Sequence, residues 1–176
     1  MARLVTTLPW TAEIDGDDLV VLNIKATCFG GGFDKDDPGD TASGVKNDGS
    51  DPTLLGVALP IENMASTNNS PLCFGAARVL WKSTVIVWLA AKPDFKVSAI
   101  LIDNGPSTVT YPDRALDMNP ALASKFAPGK TPFQLANGWT GTGFCYRLVG
   151  GAKVVPKDRI APDPVAGVPA AKSVGP

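Results

Sequence analysis

The chain has 176 residues, 16 Lys and Arg against 17 Asp and Glu, and a formal net charge of −1. This length supports one domain with a hydrophobic core, and a near-neutral chain without a basic block argues against nucleic acid as a partner. The sequence contains no histidine, which excludes a His general base, a Ser-His-Asp triad and histidine metal ligands.

Short β-strands separated by turns are predicted along most of the chain, whose 18 Gly and 16 Pro suit a loop-rich β fold. After an apolar lead-in at residues 4–10 and a turn at 15–18, residues 19–27 alternate as a strand does, with Val20, Leu22 and Ile24 on one face. Turn residues at 92–94 predict a hairpin. Residues 137–143 are expected to be a flexible link. Further strands are predicted at 81–90, 97–102 and 144–149, and residues 54–61 are a short apolar segment closed by Pro60.

A long polar loop is predicted at residues 30–56, and loops of this length usually carry function or small local structure. Its Asp-rich part, residues 34–40, lacks the EF-hand spacing and the closing Glu. A solvated cluster of turns is the favoured interpretation, and a looser oxygen-ligand cation site stays open. We predict no metal site and no cofactor.

The stretch from residue 100 to residue 126 is the centre of the predicted fold. A strand ends at Asp103, a turn follows with Asn, Gly and Pro, and a second strand carries Asp117. Asn119 and Pro120 then provide a good helix start, with Asn as N-cap and Pro at the first helical position. Two carboxylates therefore lie at strand ends, where a side chain can face a groove with a core behind it.

Four short segments resemble, in family order, motifs of the double-psi β-barrel family. That family includes the rare-lipoprotein-A-like and 3D-domain lytic transglycosylases and the first domain of expansins. DNGPS at 103–107, followed by RALDMNPALASKFA from 114, is similar to D-x-G-P and R-x-(I/L)-D-L-(S/T)-x-x-A. ATCFGG at 26–31 resembles the opening strand of expansins, and TASG at 41–44 and VALP at 57–60 resemble two further segments. The matches cover residues 24–149.

The resemblance implies a mainly β fold, a six-stranded double-psi β-barrel with one or two short helices and extended terminal arms. It implies Asp117 as the single acid and base of a lytic transglycosylase, since the sugar's own hydroxyl attacks, and Asp103 as its neighbour. Thr27, Phe29 and Ser43 are then expected at the substrate. Trp139, between glycines, is the best candidate for stacking on a sugar ring, whereas Trp81 and Trp88 are expected in the core.

Some residues depart from the family pattern. The family's His beside the A-x-x-x-L-P segment is missing, Phe29 replaces a Tyr, and Leu116 replaces an aromatic residue. These departures weaken a catalytic role more than the fold. Burial would raise the pKa of Asp117 as an acid needs, but the helix start beside it would favour ionisation. A structural alternative therefore stays open, in which Asp117 caps the helix or binds loop amides and Asp103 is an ordinary turn residue.

The termini and cysteines leave several questions open. We predict an N-terminal arm at 1–18, a barrel domain at 19–155 and a Pro- and Ala-rich tail at 156–176. The three cysteines are Cys28, Cys73 and Cys145, and the absence of a C-x-x-C pair argues against a zinc site. They form either one disulfide with a free thiol or three thiols. The first ten residues do not resemble a secretory signal, and residues 79–91 are too short to span a bilayer.

Two functions follow from these observations. The first is a peptidoglycan- or glycan-directed domain, enzymatic or a degenerate glycan-binding relative, delivered on a virion or otherwise to the cell envelope. The second is a non-catalytic structural component of a virion or tail particle. There the arms at 1–18 and 156–176 would bind neighbouring subunits.

Overall fold

The computed structural model describes residues 1–4, 9–34, 36–60, 77–108, 110–155 and 157–161. None of the helices in these ranges is both long and apolar enough to cross a membrane. Short 3₁₀ turns occur at Ala77–Leu80, Gly151–Val154 and Lys157–Arg159. The strands are β1 (Ala2–Arg3), β2 (Thr11–Asp15), β3 (Asp18–Cys28), β4 (Gly56–Leu59), β5 (Thr84–Leu89), β6 (Lys92–Asn104), β7 (Arg114–Met118) and β8 (Thr140–Leu148), and the helices are α1 (Pro120–Phe126) and α2 (Pro132–Ala136).

Six of the strands form a closed barrel in the order β3-β7-β4-β6-β5-β8, with β8 pairing back to β3. The pairs β3–β7 and β4–β6 are parallel, and the other four pairs are antiparallel. If β3, β4 and β5 exchange places with β6, β7 and β8, respectively, the set of neighbouring strand pairs stays the same. The strand order therefore has an internal two-fold symmetry. The predicted mainly β fold, a closed six-stranded barrel with two short helices, is confirmed.

The core fills the barrel, but the face of β3 that it uses differs from the predicted one. Leu19 and Val21 point into the core, and the register then shifts at Asn23, whose φ is +59°. The shift is a β-bulge, which inserts a residue and changes the parity of the strand. Ile24 therefore joins Leu19 and Val21 in the core instead of sharing a face with Val20, as alternation alone had predicted.

Several strand boundaries also differ from the predictions. The hairpin between β5 and β6 turns at Ala90 and Ala91, and the predicted turn at 92–94 is part of β6. Residues 140–143, predicted as a flexible link, open β8. The strand β2 was not predicted, and it pairs with β3 in a hairpin, so the boundary drawn between residues 18 and 19 falls inside that hairpin.

The described ends of the chain contact each other. Leu4 forms a β-bridge with Ile160, and the Ala161 N–H donates to the Arg3 carbonyl at 2.7 Å. Part of the predicted arms therefore folds onto the barrel's own sheet. Residues 162–176 of the predicted tail lie outside the described residues, as does Cys73.

Helix α1 begins as the sequence predicts. The Asn119 Oδ1 accepts from the Leu122 N–H at 3.0 Å, Pro120 takes the first position, and Leu122 is buried. The Asn119 amide also donates to the Leu54 carbonyl at 2.8 Å, which fixes the loop before β4 to the helix start. Because β7 ends at Met118, this cap sets the direction in which the chain leaves the C-terminal end of β7.

Candidate functional site

An open cavity of about 430 Å³ lies where the C-terminal ends of β3 and β7 meet the start of β8. The parallel register places Thr27 beside Asp117, and the antiparallel register places Thr140 on the other side of Thr27. Three adjacent strands thus present polar side chains at one edge of the barrel. The cavity is lined by Thr27, Cys28, Phe29, Asp34, Pro106, Ser107, Tyr111, Arg114, Asp117, Gly138, Trp139 and Thr140.

Asp117 is the acidic group on the barrel side of this cavity. Its Oδ1 accepts a hydrogen bond from the Thr27 hydroxyl. Burial raises the pKa of Asp117 to about 7, against a lowering effect of the Arg114 charge, and the negative charges of Asp103 and Asp34 raise it further. The side chain keeps partial solvent access. At neutral pH this carboxyl group can therefore both give and take a proton.

Gly105 keeps the approach to Asp117 open. Its φ of +143° is one that glycine adopts readily, and a Cβ at this position would lie 3.6 Å from the Asp117 Oδ2. Pro106 and Ser107, the next two residues, line the cavity. The predicted turn after Asp103 thus brings the backbone beside the acid without placing a side chain over it.

The second predicted acid, Asp103, lies outside the lining of the cavity. Asp103 and Asp117 flank Ala58 of β4 in register, which separates their backbones by two strand spacings, ~10 Å. The Asp103 Oδ1 accepts from the Ala42 N–H at 3.1 Å and from the Asn104 N–H at 2.8 Å. Burial raises the pKa of Asp103 as well. The hydrogen bond from the Ala42 N–H attaches Asp103 to the loop that contains Ser43.

Ser43 also lies outside the cavity lining. Its Oγ accepts from the Val45 N–H at 3.3 Å and lies 3.2 Å from the Thr41 Oγ1. Its backbone N–H donates to the Ile102 carbonyl at 3.1 Å. Of the residues predicted at the site, the structure therefore groups Asp117, Thr27, Phe29 and Trp139 in one cavity, and places Asp103 and Ser43 together beside it.

Aromatic side chains line the same cavity as Asp117. Trp139 lines the cavity and packs edge-to-face on Phe144, with ring centres 6.1 Å apart. Tyr111, 44% exposed, lines it too and stacks on the Arg114 guanidinium. The other tryptophans are elsewhere: Trp10 is buried, Trp81 packs against the core, and Trp88 lies under the Lys96 ammonium group.

Arg114 and Tyr111 are cavity residues to which the sequence analysis gave no role. The Arg114 N–H donates to the Tyr111 carbonyl at 3.0 Å, and this turn folds the ring onto the guanidinium. An available signal was the spacing, a Tyr-Pro pair three residues before an Arg that opens a strand. Cys28 lines the cavity as a free thiol, and burial raises its pKa, so it is not an activated nucleophile.

The Asp-rich loop uses its carboxylates to bind its own backbone. The Asp34 Oδ1 accepts from the Asp36 N–H at 3.0 Å, and the Asp37 Oδ1 from the Gly39 N–H at 2.8 Å. Among the residues that the structure describes, no group of three or more Cys, Asp or Glu side chains is placed to hold a metal ion. These contacts are those of a cluster of turns.

The sequence was compared with models of known protein families and with curated proteins, and neither comparison found a match.

Proposed function

We propose that the protein is a glycan-directed barrel domain that cleaves or binds peptidoglycan strands in the manner of a lytic transglycosylase. The observation that carries the proposal is Asp117, a carboxyl group with a pKa raised to about 7 in an open cavity that Trp139 and Tyr111 also line. Aromatic faces bind the apolar faces of sugar rings, and a carboxyl group that is protonated near neutral pH can protonate a glycosidic oxygen.

Two features support kinship with the double-psi barrels. The motifs stand in family order along residues 24–149, and the strand order contains two parallel pairs related by its internal symmetry. A double-psi barrel needs two such parallel pairs because its chain crosses itself twice. We therefore propose that the protein is related to the double-psi barrels.

The proposed reaction needs one carboxyl group. Asp117 gives its proton to the glycosidic oxygen as the bond from that oxygen to the anomeric carbon breaks. The 6-hydroxyl oxygen of the same sugar then bonds to the anomeric carbon and returns its proton to Asp117, which leaves a 1,6-anhydro sugar. Thr27 orients the carboxyl group through its hydrogen bond. No protein nucleophile is required, which agrees with the engagement of Asp103 by backbone N–H groups.

The test is digestion of purified peptidoglycan, with anhydro-muropeptides measured by mass spectrometry. We expect the wild-type protein to release them and Asp117→Asn to release at least ~100-fold fewer, since general acid catalysis contributes about 10²–10⁴-fold. The control is Asp113→Asn, which removes a carboxylate of the same chain segment that pairs with Lys25 outside the cavity. It should remain active.

The pH dependence is a second readout of the same proposal. Because Asp117 must be protonated to act first as an acid, the rate should fall tenfold per pH unit above about pH 7. Wild-type protein that releases no product and binds no glycan, but forms oligomers that require residues 156–176, would instead support the structural alternative.

A further inference from the structure

The cavity contains a guanidinium group, that of Arg114, which pairs with no carboxylate among the residues that the structure describes. Arg114 lies with its Cζ 3.8 Å from the centre of the Tyr111 ring, and both side chains line the cavity with Asp117. Within the described ranges its guanidinium forms no ion pair or side-chain hydrogen bond. Stacking occupies one face of the guanidinium and leaves the N–H groups at its edge free for a ligand.

The neighbouring carboxylates are engaged by other groups. Asp113 pairs with Lys25, the residue opposite Arg114 in the β3–β7 register, and Asp117 accepts from Thr27. Burial raises the pKa of Asp117 and the Arg114 charge opposes that rise, so the positive charge of Arg114 acts on the carboxyl group in the cavity. A positive charge therefore remains in a cavity that also contains the carboxyl groups of Asp34 and Asp117.

The chemistry of the surroundings narrows the ligand to a carboxylate. A planar guanidinium matches the two oxygens of a carboxylate through parallel hydrogen bonds. Asp34 lines the same cavity and would repel a doubly charged group such as a phosphate monoester more strongly than a singly charged carboxylate. We infer that Arg114, held by Tyr111, recognises one carboxylate of the bound ligand. This inference rests on the proposed glycan-directed function and adds which residue of the cavity binds a carboxylate of the ligand.

The carboxylate can belong to a sugar or to a peptide, and three probes separate these sources. They are chitotetraose, which is neutral; a tetrasaccharide of N-acetylglucosamine and N-acetylmuramic acid, which carries ether-linked carboxylates; and N-acetyl-D-alanine, a peptide-type carboxylate without a sugar. Each is titrated into the full chain at pH 6, by calorimetry and by NMR of the Arg114 Nε–Hε and Trp139 indole signals. Arg114→Gln and Arg114→Lys are the variants. Lys96→Gln, which removes a cation stacked on Trp88 outside the cavity, is the control.

We expect the muramic tetrasaccharide to bind at least ~10-fold more tightly than chitotetraose, as a charged hydrogen-bonded pair allows. Arg114→Gln should abolish this preference, Arg114→Lys should retain part of it, and Lys96→Gln should retain all of it. If the Arg114 signal moves only with N-acetyl-D-alanine and no sugar binds, the carboxylate site stands and the glycan function fails. If chitotetraose moves the Trp139 signal and neither carboxylate moves that of Arg114, the inference is wrong and the glycan function stands.

Discussion

The environment of Asp117 lowers the stability of the folded protein when this residue is ionised, but gives its carboxyl group the pKa that an acid needs. Its side chain is buried enough for the pKa to rise from the usual 3.8 to about 7, which disfavours the ionised form in the folded protein. A purely structural carboxylate, such as Asp18, shows the opposite: the Gly150 N–H and Arg147 hydrogen bonds lower its pKa. A residue that is unfavourable to the fold when charged, and reachable from solvent, is what a functional site retains.

This opposition makes a stability prediction for Asp117→Asn. Below about pH 4 the folded and unfolded states are both protonated at this group. Between pH 4 and pH 7 the unfolded chain ionises while the folded protein stays protonated, so the free energy of unfolding falls as pH rises. We expect Asp117→Asn to match wild type at pH 4 and to be more stable by roughly 2–4 kcal/mol at pH 8, as measured by urea unfolding.

The control residue is Asp113, whose pKa is shifted in the opposite direction from that of Asp117. The Lys25 hydrogen bond lowers the pKa of Asp113, so that carboxylate contributes stability above its unfolded pKa. Asp113→Asn should therefore gain nothing as pH rises from 4 to 8. Equal pH profiles for wild type and Asp117→Asn would mean that Asp117 titrates as an ordinary surface carboxylate, which would also remove the physical basis for its role as an acid.

Single residues were predictable where local chemistry decides them. Trp139 could be proposed because glycines flank it in the sequence, whereas Asp117 and Thr27 were implied by the resemblance to double-psi barrels. The sequence offers a spacing signal for Arg114 but does not show that its charge is available, because that depends on Lys25 pairing with Asp113 across two strands far apart in the chain. Such competition between charges exists only in the folded protein.

At the scale of elements, the first part of the loop after β3 packs on one buried residue, Asn47. Asn47 is 2% exposed; its backbone carbonyl accepts from the Gly31 N–H at 2.6 Å, and its side-chain amide donates to the Phe29 carbonyl at 3.3 Å. Gly30, with a φ of +61°, packs directly against it. The loop carries Phe29 and Asp34 into the cavity, so its close packing sets one side of the site.

Two glycines with similar φ angles, Gly16 and Gly30, distinguish the cost of a left-handed backbone conformation from the cost of a steric clash. Gly16, in the β2–β3 turn, has a φ of +62° with open space around it, whereas a Cβ at Gly30 would lie 2.3 Å from the Asn47 Nδ2. Gly16→Ala should cost about 1–2 kcal/mol from the left-handed conformation alone. Gly30→Ala should cost about 1–3 kcal/mol more, because the packed loop must shift. Urea unfolding of both variants measures the difference, and equal losses would show that the loop accommodates a methyl group freely.

The types of the helices and strands were more predictable from the sequence than their boundaries and buried faces. Helix α1 followed from the Asn-Pro start, and α2 has a comparable signal that was overlooked, a Thr131 and Gln134 capping box. The face of β3 was not predictable from alternation, because a bulge at Asn23 reverses it. Bulges arise where two partners demand different registers, and β3 pairs with β2, β7 and β8.

At the scale of the whole molecule, the closed barrel removes free edges from six strands and leaves β1 and β2 as an extension of the sheet. Within one chain, Leu4 and Ile160 join the described ends of the protein next to this extension. Both side chains contact the hydrophobic core. The N-terminal strands are therefore built into the sheet, although the sequence suggested an arm separate from the barrel.

This arrangement predicts that the N-terminus and the barrel unfold as one unit. Leu4 is 5% exposed, so Leu4→Ala should lower the free energy of unfolding by about 2–4 kcal/mol, as truncation of a packed leucine does. The transition should stay single and cooperative when it is followed both by tryptophan fluorescence and by far-UV circular dichroism. Val79→Ala, at a position 76% exposed, is the control and should change stability by less than ~0.5 kcal/mol. If the residues 1–18 act as an independent arm, Leu4→Ala will leave the main transition unchanged, and those strands will be free to bind a neighbouring subunit.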